Sequence, residues 1–115
     1  MRRALVGCVF SIMAAACVQE TLDPLPLQAT VEASRATAAP GDTINFLVTA
    51  QGGSLIGVEM DFGDATGDQF GTSGARTAHV SFRHVYLKPG GYTVHANVTD
   101  AFAGLKTATV EIRVQ

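Results

Sequence analysis

A chain of 115 residues has room for one domain. With 47% hydrophobic and 16% charged residues it has the composition of a packed protein, which excludes a disordered chain. Its formal charge of −2 offers no basic patch for nucleic acid and no electrostatic reason to lie on anionic lipid.

The N-terminal residues read as an address. Met1-Arg2-Arg3 is a short positive start, and Ala4 to Ala16 is an apolar and small-residue run broken only by Ser11. Its 13 residues are too few for a membrane-spanning helix, which needs about 20. A positive start, a short apolar stretch and small residues before a cut site describe a signal peptide, expected over residues 1–16. Without Arg2 and Arg3, six basic residues remain against ten acidic, a net charge of −4. Ala14-Ala15-Ala16-Cys17 resembles the lipobox of bacterial lipoproteins, whose cysteine is acylated and becomes the new N-terminus. The motif departs from the family at Ala14, where leucine is usual. Leu5-Val6-Gly7-Cys8 fits better but leaves too short a leader ahead of the cut. Cys17 is therefore the expected lipidation site, with ordinary secretion after cleavage behind Ala16 as the alternative. The resemblance implies anchoring at the bacterial cell envelope, and Val18 in place of aspartate points to the outer membrane. Residues 17–27, with Pro24 and Pro26, read as an extended tether.

From Gln28 to Gln115 the hydrophobic period is two, the period of strands. Ala29, Val31 and Ala33 alternate with polar residues. Pro40-Gly41-Asp42 signals a turn, after which Ile44, Phe46, Val48 and Ala50 share a face. Gln51 to Ser54 reads as a break, and Val58, Met60 and Phe62 as the next strand. Gly63 to Gly74 is expected to be a loop with at most a short edge strand. Val80, Phe82, His84 and Tyr86 share a face, Lys88 to Gly91 is a turn, and Tyr92, Val94, Ala96 and Val98 alternate beyond it. Ala108, Val110, Ile112 and Val114 close the chain. Six strands and a possible seventh, with no helical stripe, predict an all-β, immunoglobulin-like sandwich of about seven antiparallel strands. Phe46, Phe62, Phe82, Val94 and Ile112 are its expected core. Both cysteines lie at or before Cys17, so this segment has no disulfide or zinc thiolate of its own.

Four short motifs in this segment carry a family likeness. They are Asp61-Phe62-Gly63-Asp64, His84-Val85-Tyr86, Pro89-Gly90-Gly91-Tyr92-Thr93-Val94, and Val98-Thr99-Asp100 followed by Gly104. In this order and spacing they resemble the polycystic kidney disease (PKD) domain, over about residues 29–115. Met60 stands where the family usually has an aromatic residue, and Ala65 where it usually has glycine. The resemblance implies an extracytoplasmic immunoglobulin-like module that contacts protein or carbohydrate.

Candidate chemistry is sparse. Asp61, Asp64 and Asp68 admit two readings: oxygen ligands for calcium, or acceptors for the amides of a tight turn. The spacing lacks the twelve-residue calcium loop, and the turn reading is preferred. His79, His84 and His95 alternate across strands without a cysteine, and His84 is expected to brace a turn near Tyr86. Tyr92 reads as a corner tyrosine bonded to upstream backbone, or else as a surface aromatic for sugar stacking. No nucleophile elbow and no phosphate loop are present. The expectation is a monomeric, non-catalytic binding module without cofactor, contacting a protein or glycan. Its expected contact loop holds Asp64, Thr66, Asp68 and Gln69, with Gln51 to Ser54 beside it. The alternatives are a structural spacer of the envelope and a calcium-responsive module.

Overall fold

The computed structural model describes residues 26–115. The expected signal peptide, Cys17 and nearly all of the expected tether lie outside the described residues. Six strands and no helix make up the described part: β1 (Gln28–Ala33), β2 (Thr37–Ala38), β3 (Thr43–Asp61), β4 (Gly67–Val85), β5 (Gly90–Asp100) and β6 (Gly104–Val114).

The strands form one curled sheet in the order β1-β3-β5-β6-β2, with β4 paired to β3. All pairings are antiparallel except β2 with β6, which is parallel through Thr37–Arg113 and Ala38–Val114. The N-terminal half of β3 pairs with β1 and with the C-terminal half of β4. Its C-terminal half pairs with the N-terminal half of β4 and with β5. Each of the two long strands thus serves both layers of an immunoglobulin-like sandwich.

The switch between layers happens at a corner that the sequence pattern hides. Gln51 to Ser54 is not a break, because β3 runs through it with register shifts between Gln51 and Leu55 and between Leu55 and Gly57. Extra residues in a ladder bend the strand and raise its twist, which is how one strand turns from sheet to sheet. On β4 the corner lies at Ser73 and Gly74, whose φ angles of 52° and 82° are left-handed. Gly67 to Gly74 is accordingly strand and not loop; the loop is only Phe62 to Thr66. Six strands therefore stand where about seven were expected, since two strands are 19 residues long.

The corner is held by Asp100. Its Oδ1 accepts the Ser54 amide at 2.6 Å, and its Oδ2 accepts the amides of Phe102 and Ala103 at 2.9 and 3.0 Å. Gly52 packs so close to this carboxylate that a Cβ there would sit 2.6 Å from Oδ1. The amide donors, Ser54 foremost, outweigh burial and hold the Asp100 carboxyl below the usual carboxylate range.

Between the layers lies one core. Phe46, Phe62, Phe82, Val94 and Ile112, all expected there, are buried. So are Ile44, Val48, Val58, Met60, Tyr86, Val98 and Val114, together with Leu55, which the sequence pattern did not single out. Ala29, Val31, Ala33 and Val110 pack against its margin.

Candidate interaction site

The four motifs meet at one end of the sandwich. In the Phe62–Thr66 turn, Asp61 accepts the Gly63 amide at 2.9 Å, and the Phe62 amide donates to the Thr66 carbonyl at 3.0 Å. Asp64 Oδ1 accepts the Thr66 amide at 3.2 Å and the Thr66 hydroxyl. Asp64 Oδ2 lies 2.8 Å from His84 Nε2. Gly63, at φ 86°, lets the turn lie on β5: a Cβ there would be 2.6 Å from the Thr93 carbonyl oxygen.

Aromatic rings continue the assembly. Phe62 stacks on His84 at 4.0 Å, His84 meets Tyr86 edge-on at 4.7 Å, and Tyr86 stacks on Tyr92 at 4.3 Å. The Tyr86 hydroxyl donates to the Phe62 carbonyl and the Tyr92 hydroxyl to the Lys88 carbonyl, both at 2.7 Å. The second bond and the stacking make Tyr92 a corner tyrosine beside the Pro89-Gly90 turn. Burial first, then the charges of Asp64, Tyr92 and Asp61, push the Tyr86 phenol well up. Burial pushes the Asp64 carboxyl up, but the Thr66 hydroxyl, His84 and the Thr66 amide together bring it below its ordinary value.

Much of the expected contact loop is therefore occupied within the fold. Asp64 and Thr66 are bonded to each other and Asp64 to His84. Asp68 and Gln69 belong to β4, where the Asp68 carboxylate accepts the Gln69 amide at 2.8 Å. Asp61, Asp64 and Asp68 each accept from a separate local amide, those of Gly63, Thr66 and Gln69. Among the described residues no group of three His, Cys, Asp or Glu is arranged to hold a metal. His79 faces Thr49, His84 faces Asp64, and His95 lies across from Asp61 and Thr109, so the three histidines do not converge.

A different surface is open. Directly paired residues of neighbouring strands point to the same face. On the face turned away from the core, the register sets Gln69, Glu59, Asn97 and Thr107 in one row across β4, β3, β5 and β6. At about 4.8 Å between strands the row is about 14 Å long. Thr107 donates to Asn97 Oδ1 at 2.7 Å, which fixes the Asn97 amide. The next row toward the corner is Gly71, Gly57, Thr99 and Leu105, and the next toward the turn is Gly67, Asp61, His95 and Thr109. Glycines on either side of Gln69 and Glu59 lower the surface there. Two open troughs result, of about 570 Å³ and 670 Å³, which share Glu59, Gln69 and Asn97 in their walls. Sequence reasoning reached only Gln69, Thr66, Asp61 and Asp68 of this lining. The signal for Glu59, Asn97 and Thr99 was their alternation with the core set Val58, Met60, Ala96 and Val98.

The curled sheet, the packed core and an end knit by hydrogen bonds and rings define an immunoglobulin-like β-sandwich module. Residues 28–114 match the model of the PKD domain, and the chain belongs to that family, whose members are generally non-catalytic and commonly mediate interactions. Similar solved structures include the PKD domain of an M14-like peptidase from a Thermoplasmatales archaeon. It is 23% identical with a TM-score of 0.68, covering 80% of this chain and 96% of that one. The PKD domain of the human VPS10 domain-containing receptor SorCS2 is 22% identical with a TM-score of 0.53, covering 80% and 74%. The CARDB domain of a Pyrococcus furiosus protein, solved with di-metal ions, is 11% identical with a TM-score of 0.58, covering 77% and 92%. At these identities the likeness is one of fold. No curated protein matches the chain.

Proposed function

We propose that this chain is a non-catalytic binding module, held at the bacterial cell envelope by acylated Cys17, that contacts a protein or glycan through the outer face of β3, β4 and β5. One observation carries the choice of surface. The motif residues are spent on one another at the turn end, whereas the troughs beside Glu59, Gln69 and Asn97 stay open to solvent. A rigid sheet holds these side chains at fixed spacing, which lowers the ordering cost of binding. The acyl chains would keep the module at the membrane, each buried methylene contributing about 0.8 kcal/mol.

Photo-crosslinking in cells tests the surface. A crosslinker at Gln69 is expected to trap one defined partner, and one at Thr30 or Arg83 to trap none. Equal crosslinks from all three positions would favour the envelope spacer instead. The intact mass of the membrane-extracted protein tests the anchor: the expected value is that of a chain beginning at Cys17 with two or more acyl groups, and an unmodified chain beginning at Cys17 would mean secretion.

A further inference from the structure

Resting on the anchored reading above, we infer that the corner end of the sandwich, remote from the motif end, docks on the lipid bilayer with Phe102 and Leu105 inserted at its surface. This end exposes three large apolar side chains: Phe102 is 69% exposed, Leu105 62% and Ile56 54%. Phe102 sits in the turn between β5 and β6, and Leu105 just past it. Ile56 adjoins Gly57, which shares a row with Thr99 and Leu105.

The turn is built to enter an apolar layer. Ala101-Phe102-Ala103-Gly104-Leu105 has no polar side chain, and all five residues are exposed. Its amides are already spent inside the fold: that of Ala101 donates to the Ser54 carbonyl at 2.8 Å, and those of Phe102 and Ala103 to Asp100 Oδ2. These three donors would therefore not be stranded in lipid, where an unmet backbone group is costly. Asp100 also holds the tip rigid, so little order is lost on insertion. Five residues are too few for a stable protein interface, which needs about 800 Å² per partner. A fluid bilayer takes up a protruding apolar tip without a shaped partner, to a depth of about 5–10 Å.

Chain direction and charge select the bilayer as the occupant. β1 begins at Gln28, whose ladder partner is Gln51 at the corner, and Leu27 packs on the core margin. The segment that leads back to Cys17 thus leaves the fold at this same end. From Cys17 to Leu27 it reaches at most about 30 Å when extended, so the anchor holds the corner end close to the membrane. Insertion of the tip is then intramolecular, and a weak contact suffices. No acidic residue lies within 51–56, 73–77 or 101–106, and Asp100 beside them is 2% exposed. Arg76 and Lys106 are exposed there, with stems long enough to lie along the bilayer and bring their charges to headgroup phosphates.

The test uses the full-length chain reconstituted into phosphatidylcholine vesicles. The sequence has no tryptophan, so Phe102→Trp introduces a single reporter at an exposed position, and its melting temperature should match the parent's. Its emission should shift to the blue on reconstitution and fall by at least about half when the acyl chains carry bromine, as suits a ring at the acyl boundary. Leu87→Trp, at a position 79% exposed at the motif end, should stay unshifted and unquenched. Adding Leu105→Asp to Phe102→Trp should restore the emission, because a carboxylate is costly in lipid. An unquenched tryptophan at position 102, equal quenching at positions 87 and 102, or quenching untouched by Leu105→Asp overturns the inference. Flotation and intact mass read the anchor separately. A chain that floats with position 102 unquenched keeps the anchor and loses the docking. A chain without acyl groups whose position 102 is still quenched loses the anchor and keeps the docking.

Discussion

The Tyr86 hydroxyl donates to the carbonyl of Phe62 at 2.7 Å, inside the core and 24 positions back along the chain. This one bond ties the turn after β3 to the segment after β4, because Tyr86 lies just past Val85 and Phe62 just past Asp61. It also satisfies a carbonyl that the turn would otherwise leave buried. Tyr86→Phe keeps the ring and its stacking on Tyr92 but orphans that carbonyl. The expected loss is about 1–3 kcal/mol, read from chemical denaturation at pH 7. A loss under about 0.5 kcal/mol would mean that water or a shifted turn replaces the hydroxyl.

The same phenol gives an alkaline signature. Its folded-state value is raised, mainly by burial, above the ordinary value of about 10. A raised value means that the folded chain keeps a proton which the unfolded chain gives up. Tyr86 therefore contributes stability fully below about pH 10 and loses it as pH rises further. Melting temperature should fall above about pH 10, and Tyr86→Phe should flatten that fall although it starts from lower stability.

At the acid end the sign is opposite. The carboxyls of Asp64 and Asp100 are both lowered, Asp100 first by the Ser54 amide and Asp64 by Thr66 and His84 against the effect of burial. A lowered carboxyl contributes stability above its unfolded value of about 3.9, and that contribution is lost as pH falls through the folded value. Stability should drop below about pH 4. Asp100→Asn should lower it at neutral pH and weaken its acid dependence, because an amide oxygen accepts from Ser54 without carrying the charge. An unchanged acid limb in that variant would remove Asp100 from the account.

Ala65 shows what the sequence made legible. The family likeness marks it as a position usually held by glycine, and the structure gives the reason: its φ is 72°, in the left-handed region. A side chain there costs about 1–2 kcal/mol, while glycine loses about 0.4–1 kcal/mol more entropy on folding. Ala65→Gly should therefore stabilise by about 0.5–1 kcal/mol, seen as a higher denaturation midpoint at unchanged slope. The likeness also marked Asp64, His84, Tyr86 and Tyr92, yet not that they meet. Contacts such as His84 with Asp64, 20 positions apart, depend on the register of β3 with β4, which alternation does not encode. The troughs were hidden for a related reason: Gly67 and Gly71 read as loop, when here they are strand residues that lower a surface.

Two glycines separate conformation from space. Gly63 has φ 86°, and its added Cβ would stand 2.6 Å from the Thr93 carbonyl oxygen, which belongs to a paired strand and cannot swing aside. Gly71 lies where an added Cβ meets nothing. Gly63→Ala should cost more than about 2 kcal/mol, since left-handed strain and a backbone clash act together. Gly71→Ala should fall within about 0.5 kcal/mol of the parent, as surface substitutions do. Equal effects in denaturation would show that the turn after β3 does not press on β5.

Leu55 is the core residue that binary patterning missed, and the corner explains why. It follows Gln51-Gly52-Gly53-Ser54, which read as a break, and it sits between two register shifts, where the period of two lapses. The bend nonetheless turns its side chain fully inward, at 0% exposure, under the Ser54–Asp100 bond. Leu55→Ala should cost about 2–5 kcal/mol, a large share of the stability of a small domain. Its distinguishing effect should be local: amide exchange ought to rise first at Ser54, Phe102 and Ala103, the three donors to Asp100, because the corner then rests on a cavity. Exchange that rises uniformly along β1 to β6 would instead place Leu55 in the general core and leave the corner to be held by Asp100 alone.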